Sequence, residues 1–243
     1  MNEEYNESTY GNRVAEVYDQ WHPVASPEMV ATLTDLAGAG PVLEMGIGSG
    51  RVALPLAAQG LEVHGIDASE AMVARLRAKS GGDGIAVTIG NFAEVAVAAH
   101  YSLIFVAFNT FFALLSQEEQ VQCFANVARR LRPGGLFVIE AFVPDLKRFT
   151  GNQIVRATEV GVDEVKLEVS RHDPVSQRTT SQHVIITGDG IKLYPIQVRY
   201  AWPSELDLMA RLAGMRLRDR WSDWQRTPFT AASTVHISIY QSP

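Results

Sequence analysis

The chain contains 243 residues, of which 47% are hydrophobic and 20% are charged, and its formal net charge is −6. This length is enough to bury the core of one large domain, or of one domain with a substantial insertion. The chain is mildly acidic and contains no basic block, so it lacks the positive charge with which proteins bind nucleic acid or an anionic membrane. We therefore expect a small-molecule partner. The single cysteine, Cys123, excludes an intramolecular disulfide and fits a reducing compartment.

The sequence carries no feature typical of a secreted, membrane-spanning or metal-binding protein. Residues 1–4 lack the basic region and apolar stretch of a signal peptide, and no apolar run approaches the ~20 residues that span a bilayer. The sequence has no cysteine cluster suited to a metal ion. We therefore expect a soluble cytoplasmic protein, and the sequence leaves a homodimer open.

Two amphipathic segments come first and predict helices at Tyr5–Asp19 and Glu28–Leu36. Tyr10 and Tyr18 supply part of the apolar face of the first helix, and Trp21 follows closely. This face predicts that the helix docks onto the rest of the protein.

From Gly40 to Phe142, short apolar runs alternate with longer amphipathic stretches, which is typical of βαβ units and a parallel sheet. The predicted strands are Pro41–Met45, Leu61–Ile66, Ile85–Ile89, Leu103–Phe108 and Gly135–Ala141. The predicted helices between them are Arg51–Ala58, Glu70–Lys79 and Glu118–Leu131. Because crossovers between parallel strands are right-handed, a doubly wound α/β sandwich is the expected topology.

The segment from Ile154 to Trp202 alternates apolar and polar residues, which predicts an added antiparallel β-sheet with one wet face. Asp189-Gly190 is the expected hairpin turn within it. The chain then ends with a predicted helix and two predicted strands of the main sheet, at Ser204–Ala213, Met215–Trp221 and Thr234–Tyr240.

Three glycines, Gly46, Gly48 and Gly50, directly follow the first predicted strand. Positions without side chains between a strand and a helix let the backbone approach a ligand closely. Arg51 stands where a dinucleotide fingerprint requires glycine or alanine, and no Gly-Lys-Ser/Thr for a triphosphate is present. Glu44, in the strand before the loop, would repel phosphate. The loop therefore disfavours pyrophosphate and favours a ligand that carries positive charge.

Polar and aromatic residues end the next two predicted strands. Asp67 lies about 20 residues beyond the loop, where a carboxylate at a strand end can accept both hydroxyls of a ribose. The alternative is a helix N-cap, for which Ser69 is better suited. Asn91 and Phe92 follow the third strand, where the amide can bond an adenine edge and the ring can pack on its face. A simple turn asparagine is the alternative for Asn91.

The joint order of these motifs resembles that of class I S-adenosylmethionine-dependent methyltransferases. The resemblance rests on Glu44-x-Gly46-x-Gly48-x-Gly50, Asp67, Gly90-Asn91 and Leu131-Arg132-Pro133-Gly134-Gly135, and it covers roughly residues 42–141. It implies a Rossmann-like sheet, mostly parallel with an antiparallel last strand. It also implies S-adenosylmethionine as the cofactor and S-adenosylhomocysteine as the product.

The same resemblance implies a set of cofactor contacts. In the family the glycine loop faces the methionyl part of the cofactor, so this role falls on Gly46, Gly48 and Gly50, with Glu44 before them. The acidic residue holds the ribose, which implies this role for Asp67 with Ala68 beside it. The residues after the third strand hold adenine, which places Asn91 and Phe92 there. Many members have Asp at position 91, but an amide oxygen also accepts a hydrogen bond from the adenine amino group.

Residues that act on the methyl acceptor are less clearly marked. Phe108 ends the fourth predicted strand and Asn109 follows it, at the edge where ligands bind in such sheets. Asn109 is a candidate for orienting the cofactor or the substrate, and Phe108 for walling the cofactor site, with ordinary core packing as the alternative. Among six histidines, His22, His183 and His236 are the candidate bases. Because alignment alone supplies much of the rate of methyl transfer, a base need not be present.

The layout of the whole chain is similar to that of small-molecule methyltransferases, including the sugar N-methyltransferases of antibiotic biosynthesis. It implies an N-terminal helical lid at residues 1–40 and a cofactor-binding α/β core at 41–150 and 203–243. The antiparallel sheet at 151–202 is then an insertion that shapes the acceptor pocket. On this interpretation Tyr18, with Tyr10 and Trp21, closes over the methyl donor, and a docking helix is the alternative.

The predicted function is transfer of a methyl group from S-adenosylmethionine to nitrogen or oxygen of a small metabolite, such as a sugar or natural-product intermediate. Two alternatives remain open because a fold does not fix a function. One is a protein that binds S-adenosylmethionine without transferring its methyl group, as a cyclase or a binding module. The other is a nicotinamide oxidoreductase, which Arg51 and Glu44 oppose.

Overall fold

A computed structural model describes residues 4–243, and its N-terminal part differs from the single long helix that the sequence predicts. Residues 1–3 of the predicted lid lie outside the described range. Two short helices, α1 (Thr9–Val14) and α2 (Tyr18–Trp21), replace the predicted helix. The chain turns at residues 15–17, so that both helices reach one apolar cluster, in which Val14 is buried and Trp21 meets the ring of Tyr194 edge-on.

The helix α3 (Pro27–Ala37) begins as the sequence predicts. The hydroxyl of Ser26 caps the helix by accepting a hydrogen bond from the Met29 backbone N–H at 3.2 Å. Pro27 occupies the first turn, where its missing N–H would have no helical partner. No helix in residues 4–243 is long and apolar enough to cross a membrane.

The main sheet contains seven strands in the order β10-β11-β5-β4-β1-β2-β3. Strands β1 to β5 are mutually parallel, whereas β11 pairs antiparallel with both of its neighbours. This arrangement confirms the predicted Rossmann-like sheet with an antiparallel last strand. The strands are β1 (Val42–Met45), β2 (Val63–Asp67), β3 (Ala86–Ile89), β4 (Tyr101–Val106), β5 (Leu131–Phe142), β10 (Arg216–Trp221) and β11 (Val235–Gln241).

Helices cover both faces of this sheet and bury two apolar clusters. Along β4, Ile104 and Val106 enter one cluster, whereas Leu103 and Phe105 enter the other. This alternation follows from the two-residue period of a strand and explains why β4 is apolar throughout. The remaining helices are α4 (Ala53–Ala58), α5 (Glu70–Arg77), α6 (Gln117–Arg130) and α7 (Pro203–Leu212).

Strand β4 ends two residues earlier than the sequence predicts. Phe108 and Asn109 have φ angles of 53° and 65°, which are incompatible with an extended strand. Their left-handed conformation turns the chain sharply at the carboxyl edge of the sheet. Phe108 and Asn109 therefore form a loop at the ligand-binding edge instead of continuing β4.

The added sheet contains four antiparallel strands, β6 (Gln153–Val160), β7 (Glu164–Asp173), β8 (Arg178–Thr187) and β9 (Gly190–Arg199). The last hairpin turns at residues 188–189, one position before the predicted turn, because Thr187 pairs with Gly190. One face of this sheet is exposed, and the other buries polar side chains beside the apolar Ile185 and Tyr194. Glu168, Ser170 and His172 are buried, whereas Val155, Ile191 and Leu193 are exposed.

Candidate functional site

Two adjacent cavities lie at the carboxyl edge of the parallel strands. The loop cavity, of about 360 Å³, is lined by the glycine loop and by the ends of β2 and β3. The sheet cavity, of about 350 Å³, is lined by the end of β4 and by the added sheet. The two cavities share five lining residues, Tyr5, Tyr10, Tyr18, Thr110 and Ala113. A molecule in one cavity therefore lies next to a molecule in the other.

The glycine loop is held in a conformation that only glycine adopts without strain. Gly46 has a φ of +71°, and a Cβ atom added there would lie 2.4 Å from the Cγ2 of Thr110. Gly46 and Gly48 line the loop cavity. Gly50 does not line this cavity. It packs closely against the side chain of Leu76, since a Cβ atom added at Gly50 would lie 2.3 Å from the Leu76 Cδ1.

Asp67 ties the end of β2 to the glycine loop. Its Oδ2 accepts a hydrogen bond from the Gly48 N–H at 2.7 Å, and its Oδ1 accepts one from the Ser69 N–H at 2.8 Å. Burial raises the pKa of Asp67, although the backbone N–H groups of Ser69, Gly48 and Ala68 oppose the shift. Ser69, not Asp67, caps α5 by accepting from the Met72 N–H, so the N-cap alternative for Asp67 is wrong.

The adenine candidates stand beside Asp67 in the same cavity wall. Ala68, Asn91 and Phe92 all line the loop cavity. The Oδ1 of Asn91 accepts a hydrogen bond from the Ala93 N–H at 2.9 Å, which is the geometry of a turn asparagine. Because a carbonyl oxygen has two lone pairs, this bond still leaves Asn91 able to accept from a ligand.

Glu44 lies behind the glycine loop and lines neither cavity. Its side chain is 3% exposed, and within residues 4–243 its Oε2 atom has no hydrogen-bond partner. Burial raises the pKa of Glu44 well above its ordinary value, against the opposing charge of Arg51 and with reinforcement from Asp67. Glu44 therefore lies one layer behind the loop, and its predicted contact with the cofactor stays a prediction.

The two residues after β4 serve the sheet cavity. The sequence predicts that Phe108 contacts the cofactor. In the structure Phe108 lines the sheet cavity and not the loop cavity. Asn109 also lines the sheet cavity, and its Oδ1 accepts from the Phe142 N–H at 2.7 Å. The Phe108 N–H donates to the Oε2 of Glu140 at 2.8 Å. These bonds fix the left-handed loop against the end of β5.

The structure separates the three candidate histidines. His183 lines the sheet cavity, and burial lowers its pKa, with Glu168 opposing the shift. His22 packs between the rings of Tyr18 and Phe108 at centroid distances of 4.6 and 4.8 Å and lines neither cavity.

His236 is fully buried in β11 and also lines neither cavity. Its Nδ1 lies 2.9 Å from the Ser238 hydroxyl, and burial lowers its pKa to about 4. Of the three histidines, only His183 is therefore positioned at a cavity wall.

Three tyrosines form the boundary between the cavities. Burial raises the pKa of Tyr10 and Tyr18, so both phenols keep their protons at neutral pH. Tyr5, which is only the first residue of the first predicted helix, accepts a hydrogen bond from the Gln197 N–H at 3.2 Å. Trp21 lines neither cavity, because it packs on Tyr194.

An ion cluster forms the polar wall of the sheet cavity. Glu168 pairs with Arg148 and with Arg156, whose Nε lies 2.8 Å from the carboxylate Oε2. Burial alone would raise the pKa of Glu168, but the two guanidinium groups lower it. This cluster, Thr110 and Arg178 are not predictable from the sequence, because none of these residues belongs to a local motif.

Comparison with known proteins identifies the class. Residues 42–135 match the family described as "Methyltransferase domain". The structure superimposes on that of the CcbJ methyltransferase from Streptomyces caelestis with a TM-score of 0.90 and 40% sequence identity, covering 98% of this chain and 99% of the other. The cypemycin N-terminal methyltransferase from a Streptomyces species is 26% identical over 240 residues, covering 96% of this chain and 98% of the relative.

A more distant structure shares the fold. CalS10, an amino pentose methyltransferase from Micromonospora echinaspora solved with S-adenosylmethionine bound, has a TM-score of 0.68 and 17% identity, covering 100% of this chain and 99% of the other. The chain belongs to the class I S-adenosylmethionine-dependent methyltransferases. It is an S-adenosylmethionine-dependent enzyme, and the glycine loop beside the Asp67 carboxylate fits that cofactor.

Proposed function

We propose that this enzyme methylates a nitrogen or oxygen atom of a small metabolite, such as a sugar or natural-product intermediate, bound in the sheet cavity. The observation that carries the proposal is the common wall of the two cavities at Tyr5, Tyr10, Tyr18, Thr110 and Ala113. S-adenosylmethionine supplies a methyl group on a cationic sulfonium, so the transfer depends chiefly on alignment of the acceptor. Two cavities that meet at one boundary provide that alignment.

The loop cavity is the proposed cofactor site. Gly46 and Gly48 admit the methionyl part, because no side chain occupies their space. The Asp67 carboxylate accepts the ribose hydroxyls with the lone pairs that its two backbone bonds leave available. Asn91 and Phe92 take the adenine. In this proposal Glu44 and Gly50 support the loop from behind instead of contacting the cofactor.

The sheet cavity is the proposed acceptor site, and the added sheet at 151–202 shapes it. This sheet contributes a wall of mixed chemistry, with the Glu168 ion cluster beside Thr179, Ser181 and His183. Such a wall suits an acceptor that presents hydroxyl or amino groups. The N-terminal segment, through Tyr10 and Tyr18, is the proposed lid over both cavities. A cytoplasmic location stays a prediction.

Nitrogen is the favoured acceptor atom. Two similar proteins are an amino pentose methyltransferase and an N-terminal methyltransferase. An ammonium group must lose a proton before its nitrogen lone pair can attack the methyl group, and His183 is the proposed proton acceptor because it lines the cavity and its lowered pKa favours the neutral form. Asn109 is the proposed positioning residue, since its bond to Phe142 holds the loop beside the acceptor.

Calorimetric titration with S-adenosylmethionine and S-adenosylhomocysteine tests the cofactor site, and we expect both to bind. A panel of amino sugars, hydroxylated metabolites and short peptides with free N-termini then tests the acceptor. Mass spectrometry should find a product heavier by one methylene unit, with S-adenosylhomocysteine formed in equal amount. Formation of S-adenosylhomocysteine that does not depend on any acceptor would contradict the proposed transfer.

A further inference from the structure

The turn after β4 places two consecutive residues, Phe108 and Asn109, in a backbone conformation that side chains other than glycine rarely adopt. Their φ angles are 53° and 65°. Both residues line the sheet cavity, and Thr110, the next residue, lines both cavities. Such a conformation persists only where neighbouring groups hold it in place. The groups that hold this turn therefore set the shape of the wall between the two cavities.

Glu140, near the end of β5, holds the turn at two points. Its backbone carbonyl accepts a hydrogen bond from the Asn109 N–H at 3.0 Å, and its Oε2 accepts one from the Phe108 N–H at 2.8 Å. The Asn109 side chain adds a bond in the other direction, from the Phe142 N–H to its Oδ1 at 2.7 Å. Glu140 itself lines neither cavity, so it can affect the two sites only through the turn.

The carboxylate of Glu140 stands at a position where the strand pattern favours an apolar side chain. Leu136 and Val138, four and two residues earlier on the same face of β5, belong to the apolar cluster that Trp224 packs against. A carboxylate beside such a cluster needs hydrogen-bond donors in place of water. The Phe108 N–H is one donor, and the Trp224 Nε1–H is the other, 2.8 Å from Oε1. Each carboxylate oxygen therefore serves a different neighbour.

Trp224 gives Glu140 a partner that is itself fixed. It lies between β10 and β11, and its carbonyl oxygen accepts a hydrogen bond from the Thr32 hydroxyl of α3 at 2.9 Å. Arg226, two residues later, pairs with Asp35 on the same helix. Trp224 also lines neither cavity. The hydrogen bonds thus connect α3 to the turn after β4 through Trp224 and Glu140.

We propose that Glu140 is a positioning residue for methyl transfer and that Trp224 holds its carboxylate in place. By accepting from the Phe108 N–H, Glu140 keeps Phe108 and Asn109 against the acceptor and Thr110 at the boundary of the two cavities. This inference rests on the proposed function and deepens it. In-line transfer depends on alignment, so a shift of this wall by about 1 Å should lower the rate by about 100-fold. The position requires two acceptor oxygens, and it does not require the negative charge as such.

A double-mutant cycle tests this requirement. Glu140→Gln keeps the size of the side chain but offers one acceptor oxygen to two N–H donors, so its NH2 group must face one of them. It should lower kcat by at least about 10-fold and leave the affinity for S-adenosylmethionine unchanged. Trp224→Phe removes one donor and keeps the Phe108 bond, so kcat should change by less than about threefold. The double variant has one oxygen for one donor, and its kcat should return to within about threefold of Trp224→Phe.

The matched control is Glu118→Gln at an exposed position of α6 outside both cavities, and it should leave kcat unchanged. The acceptor is the amino sugar or peptide of the panel that the wild-type chain methylates fastest, and calorimetry with S-adenosylmethionine shows that each variant is folded. A merely structural role would make the double variant at least as slow as Glu140→Gln. That result overturns the proposal, and so does a wild-type kcat in Glu140→Gln.

Hydrogen exchange of the Phe108 amide tests the same bond without an acceptor. Glu140→Leu suits the neighbouring apolar cluster but offers no oxygen, so this amide should exchange at least about tenfold faster in the protein saturated with S-adenosylmethionine. The Ser69 amide, which donates to Asp67, is the internal control and should exchange at the wild-type rate. If the wild-type chain methylates no member of the panel, the proposed function fails and the exchange rate alone decides the role of Glu140. An unchanged rate at Phe108 overturns that role.

Discussion

Replacement of Asp67 by alanine is the sharpest test of the cofactor site. The carboxylate accepts backbone hydrogen bonds from Gly48 and Ser69 at 2.7 and 2.8 Å, and it is the proposed acceptor for the ribose hydroxyls. Asp67→Ala therefore removes two kinds of interaction. The first holds the glycine loop in the free protein, and the second forms only with the ligand.

The expected magnitudes follow from these bonds. A hydrogen bond to a charged group contributes about 1.5–3 kcal/mol, so loss of the two loop bonds should lower the free energy of unfolding by about 3 kcal/mol. Loss of two ribose bonds should weaken binding by a similar amount, which is about 100-fold in Kd. The ribose is the same in S-adenosylmethionine and S-adenosylhomocysteine, so the affinities of both should fall by the same factor.

Isothermal titration calorimetry and urea unfolding measure these two effects separately. Asp83→Ala is the charge-matched control, because Asp83 is exposed and lines neither cavity, and it should change neither quantity. Unchanged affinity of Asp67→Ala for both ligands would refute the ribose assignment. A loss of affinity for S-adenosylmethionine alone would also refute it, since the reasoning rests on the part that both ligands share.

The remaining predictions concern catalysis, pH and the lid. His183→Gln should lower kcat by about 100-fold with unchanged cofactor affinity, while His100→Gln, at an exposed position, should leave kcat unchanged. The wild-type kcat should also fall as the pH drops through the lowered pKa of His183, below about 6.5, and a pH-independent kcat there would contradict its role. The pKa of Glu44 is higher in the folded protein than in the unfolded chain. The stability that protonated Glu44 contributes is therefore complete below the unfolded-state pKa of about 4.3, and it is lost as the pH rises through the folded-state pKa. Thermal unfolding of Glu44→Gln should therefore show an advantage over the wild type that grows with pH, and a constant difference would contradict this reasoning. Asp19→Ala removes bonds of α2 to the Ser49 hydroxyl at 2.5 Å and to the Lys79 ammonium at 2.9 Å. It should speed dissociation of S-adenosylmethionine about fivefold in stopped-flow fluorescence, whereas an unchanged rate would show that the segment is no lid.

The parallel core could be predicted from sequence because its signals are local. Alternating apolar runs and the glycine loop define β1 through β5, and the order of Glu44, the glycines, Asp67 and Asn91 identifies the family. These motifs predict the site correctly because the residues of each motif are neighbours in the sequence and also lie together at the edge of the sheet.

The direction in which a side chain points could not be predicted from the sequence. Phe108 lines the sheet cavity instead of the loop cavity, because the chain turns into a left-handed conformation directly after β4. Glu44 lies in the correct strand, but its side chain points behind the loop. The helix predicted at Tyr5–Asp19 is interrupted by a turn at residues 15–17, which brings both Val14 and Trp21 into one apolar cluster.

By itself, the sequence determined the fold class, the cofactor and most of the motif residues that line the loop cavity, since these depend on short-range order and spacing. Only the tertiary structure decided that Tyr5, Thr110 and the Glu168 cluster meet at one pair of cavities, because they come from elements far apart in the chain. Tertiary structure also decided the polarity of the added sheet. Period-two alternation shows that the two faces differ, but which face is buried depends on what packs against it.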